Sequence, residues 1–224
     1  MPLNFSTYFI VLLVCLALTI PLEFVFKLNV LKSLTQFIRA LSIPFLFFIL
    51  WDIFATKNNH WSFNESHVSK INIFGLPIEE ILFFIVIPLC SVLTLEALKK
   101  VSPNYKVKPK HLVLFFTSYI SMGILIQIIW NKTNETEFPD RIFPYYSLMT
   151  VISLCLLSLY IYKTNADFTY IVPTMFICLF FMIFVNGYLT KLTDPVVTYK
   201  ANLGPRIFFD IPIEDFFYGS VLII

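Results

Sequence analysis

Residues 74–80 read Phe-Gly-Leu-Pro-Ile-Glu-Glu and residues 209–215 read Phe-Asp-Ile-Pro-Ile-Glu-Asp, one phrase met twice at an offset of 135. Upstream, Trp51-Asp52-Ile-Phe-Ala-Thr56 is echoed by Val185-Asn186-Gly-Tyr-Leu-Thr190 at an offset of 134. A helix end, a long loop and a proline-led acidic helix start therefore recur together. Such self-similarity reads as an internal duplication, and a duplication decides the architecture.

The composition around the phrase sets the solvent. Hydrophobic residues make up 58% of the 224, charged residues 13% and aromatic residues 18%, with 26 Phe and 11 Tyr. Mean hydropathy is +0.81. Soluble domains carry roughly 45–50% apolar and about 25% charged residues. A water-soluble enzyme is excluded, and the chain reads as a polytopic membrane protein. A net charge of +2 leaves no electrostatic footprint for nucleic acid. The 5 glycines form neither a dinucleotide fingerprint nor a P-loop. Cys15, Cys90, Cys155 and Cys178 lie in apolar runs without a C-x-x-C spacing. His60, His67 and His111 have no ligand spacing either, so no metal site is expected.

Charge-free runs over 2–22, 112–131, 142–162 and 168–190 are long enough for a hydrocarbon core of roughly 30 Å. With the shorter apolar runs they predict an all-α membrane bundle of about seven helices, near 5–26, 34–56, 77–98, 112–130, 144–162, 168–190 and 212–224. The last is a short helix or a clipped one, since the sequence stops at Ile224. The first span has no basic flank and no A-x-A site, so it reads as a membrane helix and not as a signal peptide. Lys99, Lys100, Lys106, Lys108 and Lys110 make the connection near 101–110 the clearest cytoplasmic loop, which favours an outside N-terminus. The duplication divides the chain into a first repeat over 1–100, a basic loop and linking helix over 101–143, and a second repeat over 144–224.

Helix parity gives a geometric expectation. An even number of crossings separates the two acidic helix starts, so both enter from one face. The preceding helices of each half end on that face and bring Asp52 and Asn186 to it. Proline suits the first helical position and acids suit the first turn, so simple capping accounts for a Pro-x-Glu-Glu start. Capping does not call for a second copy, and Ile-Leu-Phe-Phe follows Glu80 directly. Ionisable groups at such depth are functional by default. Clustered carboxyls in an apolar site cannot all ionise, and an acid kept protonated beside a carboxylate is a general-acid arrangement. With no cofactor motif, the reactant is expected to be apolar and acid-sensitive, such as an alkene. Aromatic faces stabilise the resulting cation. Trp51, Trp61, Phe83, Phe84, Phe216, Phe217 and Tyr218 are the candidates, joined by Asp52 and Asn186 as substrate-binding residues.

The Pro77-Ile-Glu-Glu80 and Pro212-Ile-Glu-Asp215 pair resembles the duplicated P-x-E-[ED] signature of the membrane lycopene cyclases. Trp51-Asp52, Trp61-Ser-Phe63, Gly75 and Asn186…Leu189-Thr190 are similar to that family too. The likeness is to the fused form of the heterodimeric bacterial type, which is also the cyclase domain of fungal bifunctional carotenoid enzymes. It implies a cofactor-independent, non-redox isomerisation in carotenoid biosynthesis. The linear ψ-ends of lycopene would be protonated and closed to β-ionone rings. Glu79, Glu80, Glu214 and Asp215 would act as proton donor, base and cation stabiliser. Lycopene or a related linear carotenoid and the lipid bilayer are the implied partners, with other carotenoid-biosynthesis enzymes as associates. The implied setting is the cytoplasmic membrane of a prokaryote.

Relatives that make ε-rings or act on longer carotenoids leave the product open. A proton-coupled transporter is the competing class, since transporters also duplicate helices and bury acids. A retinal protein would need a mid-membrane lysine, and none falls within the predicted spans. Pro21-Leu-Glu23-Phe24 also echoes the motif, but its position near Lys27 reads as an interfacial acid.

Overall fold

A computed structural model describes residues 6–133, isolated positions between 152 and 163, and residues 168–191, 193–199 and 205–223. Its long elements are helices, because in lipid each span must satisfy its backbone polar groups internally. They are α1 (Thr7–Phe26), α2 (Leu34–Lys57), α3 (Ile78–Val101), α4 (Pro109–Thr133), α5 (Ile171–Lys191) and the short α6 (Ile213–Ile223). Among the described residues, five helical stretches are long and apolar enough to cross a membrane: Thr7–Phe26, Leu31–Lys57, Ile78–Val101, Pro109–Trp130 and Ile171–Lys191. This is a membrane protein. The helix predicted over 144–162 lies largely outside the described residues. With 11 residues, α6 rises only about 16 Å.

Among the described residues the loops hold what the sequence did not announce, six strands of two or three residues each. They are β1 (Trp61–Phe63), β2 (Asn72–Ile73), β3 (Leu76–Pro77), β4 (Val197–Tyr199), β5 (Arg206–Ile207) and β6 (Ile211–Pro212). β2 and β3 form a hairpin whose turn residues Phe74 and Gly75 have φ of 55° and 90°. Positive φ at both central positions is what a type I′ hairpin requires, and Gly75 meets that without strain. β5 and β6 form a second hairpin, with Phe208, Phe209 and Asp210 all at positive φ. Each hairpin passes into its helix through a matching bond, Ile78 N–H to the Ile71 carbonyl at 2.9 Å and Ile213 N–H to the Pro205 carbonyl at 3.0 Å.

The order helix, strand, hairpin, helix thus occurs as α2–β1–β2–β3–α3 and again as α5–β4–β5–β6–α6. The offset between corresponding residues is 134 at Asn72 and Arg206 and 135 at Leu76 and Ile211. The extra residue falls in the second hairpin's turn. β1 and β4 pair with each other, antiparallel, in the register Trp61 with Tyr199, Ser62 with Thr198 and Phe63 with Val197. Corresponding strands that pair about their own centres are related by a local two-fold axis.

α1 packs along α3, and α3 also meets α2, α5 and α6. The apolar core under the β1–β4 pair joins Tyr8 and Leu12 of α1, Ala55 of α2, Val86 and Cys90 of α3, and Leu189 of α5. A second core joins Phe116 and Ile120 of α4 to Met175 and Leu179 of α5. Outward-facing Phe24, Ile43 and Phe180 are well exposed, as lipid-facing residues are. Glu23 lies apart from the motif acids, where its Oε2 accepts the Val30 N–H at 3.0 Å and holds the turn after α1.

Candidate active site

Pro77, at φ −62° and ψ 146°, is the extended N-cap of α3, one residue before the first helical position expected for it. That start points two consecutive glutamates in different directions. Glu79 turns back to the loop and to α1. It is 1% exposed and accepts the Ser69 N–H at 2.7 Å, the Ser69 hydroxyl at 3.1 Å and the Ser6 hydroxyl. Ser6 is in turn the N-cap of α1, its Oγ accepting the Phe9 N–H at 3.2 Å. Glu79 therefore ties the first turn of α1 to the loop before β2.

Glu80 turns inward. Its Oε2 accepts the Tyr8 hydroxyl at 2.6 Å, two residues beyond the Ser6 cap. Asp215, its counterpart at the start of α6, also turns inward. Its Oδ2 accepts the Tyr199 hydroxyl at 2.6 Å and the Asn186 amide Nδ2 at 3.0 Å. Burial, then the nearby Asp215 carboxyl, pushes the Tyr199 phenol well above its ordinary range, so its hydroxyl stays a donor. Asp52, fully buried on α2, accepts the Trp61 Nε1–H on Oδ1 at 2.8 Å.

Glu80, Asp215, Asp52, Asn186, Trp61, Phe83 and Tyr218 line one cavity of about 450 Å³. Its walls continue along Leu18, Leu22 and Phe26 of α1 and Ala97, Leu98 and Val101 of α3. From Glu80 to Val101 a helix rises roughly 31 Å, so the cavity has carboxyls at one end and follows nearly the whole of α3. No Lys, Arg or His is among its described lining residues. No group of three His, Cys, Asp or Glu that could hold a metal ion occurs among the described residues. Cys15, Cys90 and Cys178 border the cavity as free thiols.

The other sequence candidates lie elsewhere. Glu214 is 1% exposed but does not line the cavity. Phe84 stacks on Phe48 at 5.7 Å, Phe217 packs against Tyr119 at 4.7 Å, Phe216 lies by Phe208 at 6.3 Å, and Trp51 lies by Phe54 at 5.6 Å. None of these four aromatic side chains is a lining residue. Tyr8 and Tyr199, which donate to the two inward carboxyls, were not singled out from sequence. Tyr8 offered one signal, a hydroxyl-bearing ring at the start of a mostly apolar span. Tyr199 offered none, because β4 is too short to show alternation.

Comparison with known proteins gives one match. The family model described as lycopene cyclase matches residues 5–98 and 143–224, flanking the stretch that contains the basic loop and α4. No curated protein and no solved structure matches the chain.

Proposed function

The chain belongs to the lycopene cyclase family, and from that premise we propose that it is a lycopene β-cyclase working by acid catalysis without a cofactor. The reaction is an intramolecular isomerisation: a proton adds to the terminal double bond of a linear ψ-end, the resulting cation is closed by the neighbouring double bond, and a proton leaves to give the β-ionone ring. Residues 1–100 and 144–224 are its two halves, joined by 101–143, and a prokaryotic cytoplasmic membrane is its setting.

The observation that carries this reading is the cavity. It brings the second acid of each repeated motif, Glu80 and Asp215, to one end of a long apolar space. A linear polyene partitions into such a space by burial of its hydrocarbon surface. Carboxyls there act in a low dielectric, where a developing cation is stabilised far more than in water. In this reading Glu80 and Asp215 face the reacting end and Glu79 holds the helix start, while Tyr8, Asn186 and Tyr199 orient the two inward carboxyls. Glu214 completes the second helix start.

Expression in lycopene-accumulating cells tests it. The expected result is a turn from red toward orange-yellow with β-carotene in the extract. Glu80→Gln and Asp215→Asn, present in membranes at the wild-type level, abolish the change. Persistent red colour with the wild-type chain overturns the reading, and ε-rings or rings on longer carotenoids in the extract would overturn its β-specificity.

A further inference from the structure

The cavity holds a third carboxyl that neither proline-led motif contains. Asp52 is 0% exposed and lines the same space as Glu80 and Asp215. Its hydrogen bonding differs from theirs. Oδ1 accepts the Trp61 Nε1–H, but Oδ2, fully enclosed, has no hydrogen-bond partner among the described residues. Thr56 Oγ1, one helical turn on, is likewise without a partner among them. Glu80 and Asp215 each accept a tyrosine hydroxyl, and Asp215 an amide as well.

A buried carboxylate oxygen with no donor and no counter-ion is strongly disfavoured. A carboxylic acid at the same place carries a hydrogen on that oxygen and needs no donor. Carboxylates, in contrast, are what donors select. The second half sharpens the contrast, because the position corresponding to Asp52 is Asn186, an amide that hands a hydrogen bond to Asp215 and has no proton to give away.

We propose that Asp52 is the proton donor of the reaction and that Glu80 and Asp215 act as carboxylates beside the cation. The assignment rests on the cyclase reading of the cavity. The Asp52 O–H proton adds to the terminal C=C, whose π pair becomes the new C–H bond and leaves a tertiary cation. The next C=C closes a C–C bond onto that carbon and moves the cation into the ring. Loss of a ring proton to Glu80 or Asp215 forms the ring double bond. One proton enters and one leaves, and its return to Asp52 resets the site.

The test uses the full chain in membranes, with lycopene turnover and binding of protonated N,N-dimethylgeranylgeranylamine, a cation on an isoprenoid tail, as separate readouts. Asp52→Asn is expected to lower turnover by about 100-fold or more, the scale of a lost general acid. It leaves amine binding within about twofold, because a neutral acid is replaced by a neutral amide; retained binding also shows the variant is folded. Glu80→Gln and Asp215→Asn are expected to lose turnover and to weaken amine binding about tenfold or more, roughly 1.4 kcal/mol. Asp52→Glu, which keeps an acid there, retains turnover well above that of Asp52→Asn.

Turnover by Asp52→Asn near the wild-type rate overturns the proposal. So does amine binding weakened in Asp52→Asn as much as in Asp215→Asn, which would make Asp52 a carboxylate. A wild-type infrared spectrum with no carbonyl band of a buried protonated carboxyl overturns it independently of any variant. A wild-type chain that makes no ring defeats the cyclase reading instead, a distinguishable failure.

Discussion

Glu79→Gln separates the two glutamates of the first motif. Three donors converge on the Glu79 carboxyl: the Ser69 N–H, the Ser69 hydroxyl and the Ser6 hydroxyl. An amide in the same volume offers one acceptor oxygen, which serves at most two of them, and sets an NH₂ against the third. One buried hydrogen bond lost with its donor left facing another donor costs about 1–3 kcal/mol. Taking about 2 kcal/mol, the thermal midpoint of a chain of this size falls by about 4–8 °C. The chemistry is reached only indirectly, through Ser6 and the first turn of α1 to Tyr8 and so to Glu80. Turnover per folded molecule is therefore expected within about tenfold of wild type, a coupling of at most roughly 1.4 kcal/mol. Thermal unfolding in detergent and pigment conversion in membranes measure the two effects side by side. A Glu79→Gln protein that unfolds at the wild-type temperature yet forms no ring would refute this division of labour and return Glu79 to the reacting end.

Four further outcomes follow from particular contacts. A Cβ added at Gly123 would stand 2.4 Å from Phe217 Cζ, so Gly123→Ala is expected to destabilise the α4–α6 contact by about 1–3 kcal/mol, and Phe217→Leu to restore most of it in a thermal double-mutant cycle. Tyr199→Phe removes a hydroxyl from Asp215 and is expected to slow conversion by about 10–100-fold. Because burial and Asp215 raise that phenol well above 10.0, wild-type conversion shows no loss from its ionisation below that pH. Asp194 collects Asn64, Ser66 and His67 on an exposed part of the loops, so Asp194→Asn is expected to cost less than about 1 kcal/mol and to leave pigment conversion unchanged.

What was legible in the sequence follows from length scales. Spans of about twenty apolar residues announce themselves, and α1, α2 and α5 begin and end within three residues of their predicted positions. The β strands do not, because two or three residues cannot show a period of two. The Phe74-Gly75 turn is visible only as part of the repeated phrase. Glu79, Glu80, Glu214 and Asp215 all read as buried acids, yet nothing in Pro-Ile-Glu-Glu tells which glutamate turns inward; the Ser6 and Ser69 contacts decide it, and they lie 73 and 10 residues away. Phe84 and Phe217 illustrate the converse limit. In a chain with 26 phenylalanines, a ring beside an acidic motif is most often packing.

The recurrence and the departures from it have separate consequences. Matching helix–strand–hairpin–helix units bring two carboxyls to one place from opposite halves, which a single copy could not do. A symmetric pair of identical acids would be poor at this chemistry, though, since adding a proton and removing one call for groups in different states. The structure breaks the symmetry at two points around that pair. Glu80 takes its hydroxyl from Tyr8 on α1, while Asp215 takes its hydroxyl from Tyr199 on β4. Asp52 in one half is answered by Asn186 in the other, and the amide donates a hydrogen to Asp215 whereas Asp52 Oδ2 has no hydrogen-bond partner among the described residues. The recurrence of the unit accounts for the approach of the carboxyls, and in the proposed mechanism the Asp-for-Asn difference accounts for their unequal states. A reaction that adds one proton and removes another needs both.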